Sequence, residues 1–143
     1  VENIELTVIG DGKERKTLEK IDKNVKFLGS LPHDKVLKKM RENDIFVLPS
    51  EGETFGMVYL EAMASGCITV CTKGDGVDGI IKNGENGFLV EPNSNSVKET
   101  LLNIKNMDIK SLNALRNNSF STIKNYTSAI CAERYLQQIL KIL

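Results

Sequence analysis

Residues 49–66 read PSEGETFGMVYLEAMASG, and the reading of this stretch decides the fold. The apolar run Asp44-Ile45-Phe46-Val47-Leu48 ends at Pro49 in a polar loop that contains glycine. Good helix formers then begin at Phe55 and stop at Gly66. The pattern is a strand, a loop and a helix whose N-terminus is aimed beyond the strand's carboxyl end. In open parallel sheets that is where ligands bind. The first N–H groups of such a helix, aided by its dipole, accept a phosphate or a carboxylate.

Phe55, Met57, Val58, Tyr59, Leu60, Ala62, Met63 and Ala64 make this helix apolar around nearly its whole circumference, which predicts that it is buried. Glu61 is the single charge inside it, and a buried lone carboxylate is costly unless paired. Two readings of Glu61 stand on this basis. It is a structural acid satisfied by a neighbouring backbone group or lysine, or it faces a cleft and accepts hydrogen bonds from a ligand's hydroxyls. Glu53 lies just before the helix, either as a solvated loop acid that helps to cap it or as a second carboxylate at the cleft mouth.

Outward from this centre the chain alternates. Ile4 to Ile9 is a β-type run that ends at Gly10-Asp11-Gly12, with a polar helix expected from Lys13 to Ile21. Gly-Asp-Gly lacks the full dinucleotide fingerprint and reads best as a tight strand-to-helix turn. Asn24 to Gly29 reads as a strand, Leu31 to Asp34 as a turn, and Lys35 to Glu42 as a helix with Val36, Leu37 and Met40 on its apolar stripe. Cys67 to Cys71 is a further β run, Val77 to Lys82 a short helix, Asn83 to Gly87 a turn, and Phe88 to Val90 the last strand. From Ser94 onward the pattern is helical, and it closes with an amphipathic stretch from Ala129 that carries Ile130, Tyr135, Leu136, Ile139 and Leu140. Strands alternating with helices predict an α/β class: a three-layer domain with a parallel sheet flanked by helices.

A chain of 143 residues is one domain by size and can bury a core of its own. Nineteen Lys and Arg balance nineteen Asp and Glu, so no global field recruits nucleic acid or a membrane surface, and any anion site is local. No apolar run approaches the roughly 20 residues of a membrane span. Cys67, Cys71 and Cys131 with the lone His33 form neither a disulfide framework nor a metal-ligand set, so no metal is expected. Free buried thiols fit a reducing cytoplasm, which is the expected location.

Glu53 and Glu61 have seven residues between them, and the run Glu-Thr-Phe-Gly-Met-Val-Tyr-Leu-Glu-Ala-Met-Ala-Ser-Gly resembles the E-x7-E motif of retaining, nucleotide-sugar-dependent glycosyltransferases. The family is glycosyltransferase family 4, or group 1, whose GT-B fold has two Rossmann-like halves. The resemblance extends over most of the chain. Val25 to Ser50 is similar to the family's course from VxFxGxxP to DxFxxPS, and Asn83 to Pro92 is similar to NGxNGFLVxP. Residues 74–81, GDGVDGII, depart from the commoner Gly-Gly-x-x-Glu pattern that contacts the donor sugar in the family.

The resemblance implies the donor-binding half of such an enzyme, with a UDP-, GDP- or ADP-sugar as substrate and no metal or other cofactor. By position, Glu61 takes the ribose hydroxyls and the Met57 and Val58 N–H groups take the diphosphate. Gly56 allows its close approach, Ser30 and Leu31 offer backbone to the base, and Glu53, the catalytic residue, contacts hydroxyls of the transferred sugar and helps to orient the anomeric carbon. It further implies same-face attack with the leaving diphosphate accepting the acceptor's proton. The family's acceptor domain and the first strand of this domain, which bears an Arg and a Lys for the diphosphate, are expected upstream of Val1. Any contact with a membrane is expected through that upstream half. The C-terminal helix is expected to pack Tyr135, Leu136 and Ile139 on this domain or to mediate self-association. Competing readings are a non-catalytic nucleotide- or phosphate-binding module and a receiver-type signalling domain. The receiver expects an Asp at the end of a central strand, where this chain has Leu48-Pro49-Ser50.

Overall fold

A computed structural model describes residues 4–52, 54–77 and 79–142. In chain order its elements are β1 (Thr7–Val8), α1 (Arg15–Leu18), β2 (Lys26–Phe27), α2 (His33–Arg41), β3 (Ile45–Leu48), α3 (Met57–Ala64), β4 (Ile68–Thr72), β5 (Phe88–Val90), α4 (Ser94–Asn106) and α5 (Ile109–Ile123). A 3-10 turn over Lys124–Tyr126 and α6 (Ser128–Leu140) follow.

All strand pairing is parallel. β3 pairs with β4 from Ile45↔Ile68 to Leu48↔Cys71, and β4 pairs with β5 from Val70↔Phe88 to Thr72↔Val90. β4 is buried at every position, as a central parallel strand covered on both faces must be. The period of two sorts its neighbours into layers. Phe46, Leu48 and Cys71 pack with Tyr59, Leu60 and Met63 of α3, whereas Ile45, Val47, Ile68 and Val70 pack with Ile104 of α4 and Leu115 of α5. Helices therefore cover both faces, and the expected three-layer, Rossmann-like arrangement is what the chain forms.

The sheet is divided. β1 and β2 pair with each other, Thr7↔Lys26 and Val8↔Phe27, as a separate two-stranded sheet. The outer edges of β1 and β3 have no strand partner among the described residues, and both line one cleft of about 550 Å³. Strand order reads β2-β1, then β3-β4-β5, so the direction of winding reverses at this gap. A reversal of strand order is the topological switch point at which open α/β sheets place their ligands.

Two expectations need correction, and of the two alternatives stated for the C-terminal helix, packing on this domain and self-association, the first does not hold. The described residues of the stretch from Val77 to Lys82 do not form a helix. Val77, Ile80 and Ile81 have helical spacing, but Gly79 stands at φ +92° and the segment closes as turns, with the Ile80 and Ile81 N–H groups both on the Val77 carbonyl. α3 begins at Met57 rather than Phe55, because Gly56 before it is left-handed. Tyr135, Leu136 and Ile139 do not pack on this domain: all three are exposed, and no residue of α6 is buried. From the middle of that helix the Arg134 guanidinium reaches back to within 5.9 Å of the centre of the Tyr126 ring.

The cysteines are free thiols, with Cys67 and Cys71 buried and Cys131 exposed. Cys67 donates to the Met40 carbonyl at 3.0 Å, and burial pushes its thiol up to about 11. Because the thiolate is the reactive form, a maleimide at pH 8 is expected to label the native chain once, at Cys131, and three times after denaturation. Rapid native labelling at Cys67 or Cys71, read by peptide mapping, would contradict this packing.

Candidate functional site

The head of α3 is held by a small set of buried contacts. Gly56, the N-cap, has φ 69° and ψ 47° and is buried. A Cβ at this position would overlap Tyr59 Cδ2, come within 2.7 Å of Tyr59 Cε2 and lie 3.1 Å from Val77 Cγ1. The Tyr59 hydroxyl donates to the Leu48 carbonyl at 2.8 Å and lies 2.9 Å from the Ser50 hydroxyl. Its ring meets Phe46 edge-on, with centroids 5.9 Å apart. Thr72 in turn donates from its hydroxyl to the Ser50 carbonyl at 2.5 Å. The loop that leaves β3 is therefore pinned to α3 and to β4 before it reaches Gly56.

What this anchoring leaves open is the helix end itself. Among the described residues no side chain caps α3, and the N–H groups of Met57 and Val58 have no acceptor there. Unpaired donors at a helix N-terminus, with the positive end of the dipole behind them, constitute an anion site. The apolar helix is buried only along its body. Tyr59, Leu60, Ala62 and Met63 are buried, whereas Met57 is 58% exposed at the open end.

Glu61 is not the sealed charge that an all-round apolar helix predicts. Its side chain is 28% exposed, and its Oε1 lies 2.9 Å from Nε2 of His33, the first residue of α2. The partner is thus neither backbone nor lysine. Oε2 has no partner among the described residues. The carboxylate has one oxygen engaged and the other available.

Ser30, Leu31 and Val58 line the cleft between β1 and β3 together with Gly10 and Leu48. The structure so brings Ser30, Leu31 and Val58 to one cleft, with Gly56 and Met57 at the head of the helix that carries Val58 and Glu61 on its next turn. Glu53 lies outside the described residues. The Gly10 N–H donates to the Gly29 carbonyl at 2.8 Å, which makes Gly10 a turn residue that also borders the cleft. A larger depression of about 640 Å³ lies elsewhere, between the Lys82–Asn86 turn and α5. Two of its amides are engaged within it, Asn118 Nδ2 on the Glu85 carbonyl and Asn86 Nδ2 on Thr122 Oγ1. Among the described residues no three His, Cys, Asp or Glu gather as a metal site would require, and no helix is long and apolar enough to cross a membrane.

The sequence profile of the family described as glycosyl transferases group 1 matches residues 1–122. The chain belongs to the group 1 glycosyltransferases. This group 1 glycosyltransferase chain is 39% identical over 92 residues to the sulfoquinovosyl transferase of Arabidopsis thaliana, a match covering 61% of the chain and 18% of that protein. Among solved structures, it is similar to the C-terminal domain of a group 1 glycosyltransferase from Francisella tularensis, with 31% identity, a TM-score of 0.63, and coverage of 79% of this chain and 58% of that one. The Anabaena protein HepE in complex with UDP has 21% identity and a TM-score of 0.80, and the match covers 100% of this chain and 42% of that one. The likeness to these structures gives the fold as a Rossmann-like half of the GT-B architecture. The group 1 chain spans less than a third of the length of the curated relatives it matches first.

Sequence reasoning missed two members of this site. Tyr59 passes for one more apolar residue of α3, and only its hydroxyl, reaching back to Leu48 and Ser50, shows that it anchors the loop. His33 is visible as the one histidine of the chain, and its position at the first turn after Leu31-Pro32 is the signal that could have linked it to the cleft.

Proposed function

We propose that this chain is the donor-binding half of a retaining glycosyltransferase, holding a UDP-, GDP- or ADP-sugar from which a hexose-type sugar passes to a glycan or lipid acceptor. The observation that carries the reading is the meeting, on one helix, of open N–H donors at its head and a half-engaged carboxylate one turn further on. The first suits a diphosphate and the second suits the hydroxyls of a ribose. In this reading Met57 and Val58 hold the diphosphate, Gly56 gives it room, Glu61 takes the ribose, and Ser30 and Leu31 face the base. Glu53 is assigned to the transferred sugar on its sequence position. The UDP complex of the Anabaena protein supports a uridine nucleotide among the candidates.

The chemistry asked of these residues is modest. The bond from the anomeric carbon to the diphosphate breaks, the acceptor hydroxyl attacks from the same face, and its proton passes to the leaving diphosphate. Positioning and charge stabilisation by the α3 head then supply the catalysis, without a metal. Buried free thiols at Cys67 and Cys71 support a reducing, cytoplasmic setting.

The gap between β1 and β3 belongs to the same reading. Both free edges run parallel to their own partners, and one added strand would pair with each. We assign that strand, with the acceptor domain, to the longer protein of which this domain is a part, in keeping with the share of its relatives that the chain spans.

The test compares the 143-residue chain with the full-length protein, titrated with UDP, GDP and ADP at low and high salt. A helix N-terminus offers about half a positive charge against a diphosphate, so the chain alone is expected to bind weakly, to lose binding with salt and to transfer no sugar. The full-length protein is expected to bind one of the three at least about tenfold tighter, the equivalent of roughly 1.4 kcal/mol. Tight, salt-independent binding by the chain alone would contradict the divided site. Nucleotide binding by the full-length protein without transfer from any sugar nucleotide would favour the non-catalytic module.

A further inference from the structure

We propose that His33 is a positioning residue for the nucleotide's ribose: its imidazole holds one oxygen of Glu61 and so aims the other at the ligand. The inference rests on the ribose reading of Glu61 given above and adds to it a residue from a different element.

His33 opens α2 and directly follows Ser30-Leu31-Pro32, of which Ser30 and Leu31 line the cleft. Its Nε2 lies 2.9 Å from Glu61 Oε1 and ties the head of α2 to the middle of α3. The contact joins the wall assigned to the base with the side chain assigned to the ribose. Glu61 is the only charged residue of α3, and no lysine or arginine reaches it among the described residues. The imidazole is therefore the one described group that fixes the carboxylate's orientation. With Nε2 carrying a proton, His33 donates to Oε1 and leaves the lone pairs of Oε2 for hydroxyl donors.

The bland alternative is a surface contact that fastens α2 to α3. His33 is 67% exposed, and pairs this open contribute little to stability. The two accounts differ in what the ligand feels. A carboxylate already held need not be immobilised when the ligand arrives, and that cost is otherwise met from the binding free energy. A positioning role must therefore depend on the ligand's having hydroxyls for Glu61 to accept from, whereas a fastening role cannot.

The experiment measures dissociation constants of the full-length protein for UDP, GDP, ADP and their 2′,3′-dideoxy counterparts, with melting temperatures alongside. The proteins are wild type, Glu61→Gln, His33→Ala and His33→Gln, the last because its amide can donate from a reach close to that of Nε2. His33→Ala is expected to weaken the preferred ribonucleotide about three- to tenfold and to leave its dideoxy counterpart within about twofold. His33→Gln is expected to recover most of the loss. An equal loss for both ligands, or a loss that His33→Gln does not restore, would overturn the proposal. If Glu61→Gln leaves ribonucleotide affinity unchanged, or wild type binds none of the three, the ribose reading itself fails. If Glu61→Gln weakens binding while His33→Ala does not, that reading stands and the role of His33 falls.

Discussion

Gly56→Ala is expected to lower the melting temperature of this chain by about 10 °C, a larger effect than any other single methyl group should have near the site. Two terms add. An alanine at φ 69° adopts a left-handed backbone that costs about 1–2 kcal/mol. Its methyl also overlaps the Tyr59 ring, which is fully buried, tied by its hydroxyl to Leu48 and packed edge-on against Phe46. A ring so held cannot yield without breaking one of those contacts, and overpacking of this kind costs about 1–3 kcal/mol. The sum, about 2–5 kcal/mol, corresponds to roughly 3–4 °C per kcal/mol in a domain of this size. Gly84→Ala is the control, because φ there is +77° and a Cβ meets nothing within 4 Å. It carries the backbone term alone. Melting curves for the two variants that coincide within about 2 °C would show that the overlap with Tyr59 is relieved at little cost.

The same residues show what a sequence can and cannot disclose. The β4 run was legible because a strand covered on both faces is largely apolar and β-branched, and Ile68, Val70 and Cys71 are buried together with Thr69 and Thr72. The position of α3 was legible to within two residues, and the offset comes from the left-handed turn that Gly56 makes before Met57. The spacing of Val77, Ile80 and Ile81 misled because a buried turn can present the same i, i+3, i+4 pattern as a helix. Here Val77 and Ile81 are drawn into the core against α3, and Gly79 closes the turn between them. The divided sheet and the His33–Glu61 contact lay beyond reach, since both depend on which distant segments pack together. His33 and Glu61 are 28 positions apart and meet only because α2 lies beside α3. In α6 the apolar face was read correctly, but periodicity says that a face is apolar and not what covers it.

Glu61→Gln is expected to weaken nucleotide binding by the full-length protein at least tenfold while leaving its melting temperature within about 2 °C of wild type. The two halves of this result separate the two readings of the residue. Were Glu61 one partner of a sealed ion pair, discarding its charge would strand the other partner and cost about 3–5 kcal/mol of stability. The observed pair is not sealed: the Glu61 side chain is 28% exposed and that of His33 is 67% exposed. Pairs in such surroundings contribute about 0–1 kcal/mol. Glutamine keeps the shape of the side chain and an oxygen for the His33 ring, so the packing of Leu60, Ala62 and Met63 around it is undisturbed. What glutamine loses is the anionic acceptor. Each hydrogen bond from a ribose hydroxyl to a charged partner contributes about 1.5–3 kcal/mol, and loss of even one reaches tenfold in affinity. The full-length protein is the right vehicle, because in this reading the remaining diphosphate contacts lie outside the 143 residues. Calorimetric titration with the preferred nucleoside diphosphate gives the affinity, and a thermal melt of the same samples gives the stability. A fall of 10 °C or more with unchanged affinity would return Glu61 to the core as a structural acid and leave the head of α3 as an anion site without a ribose partner.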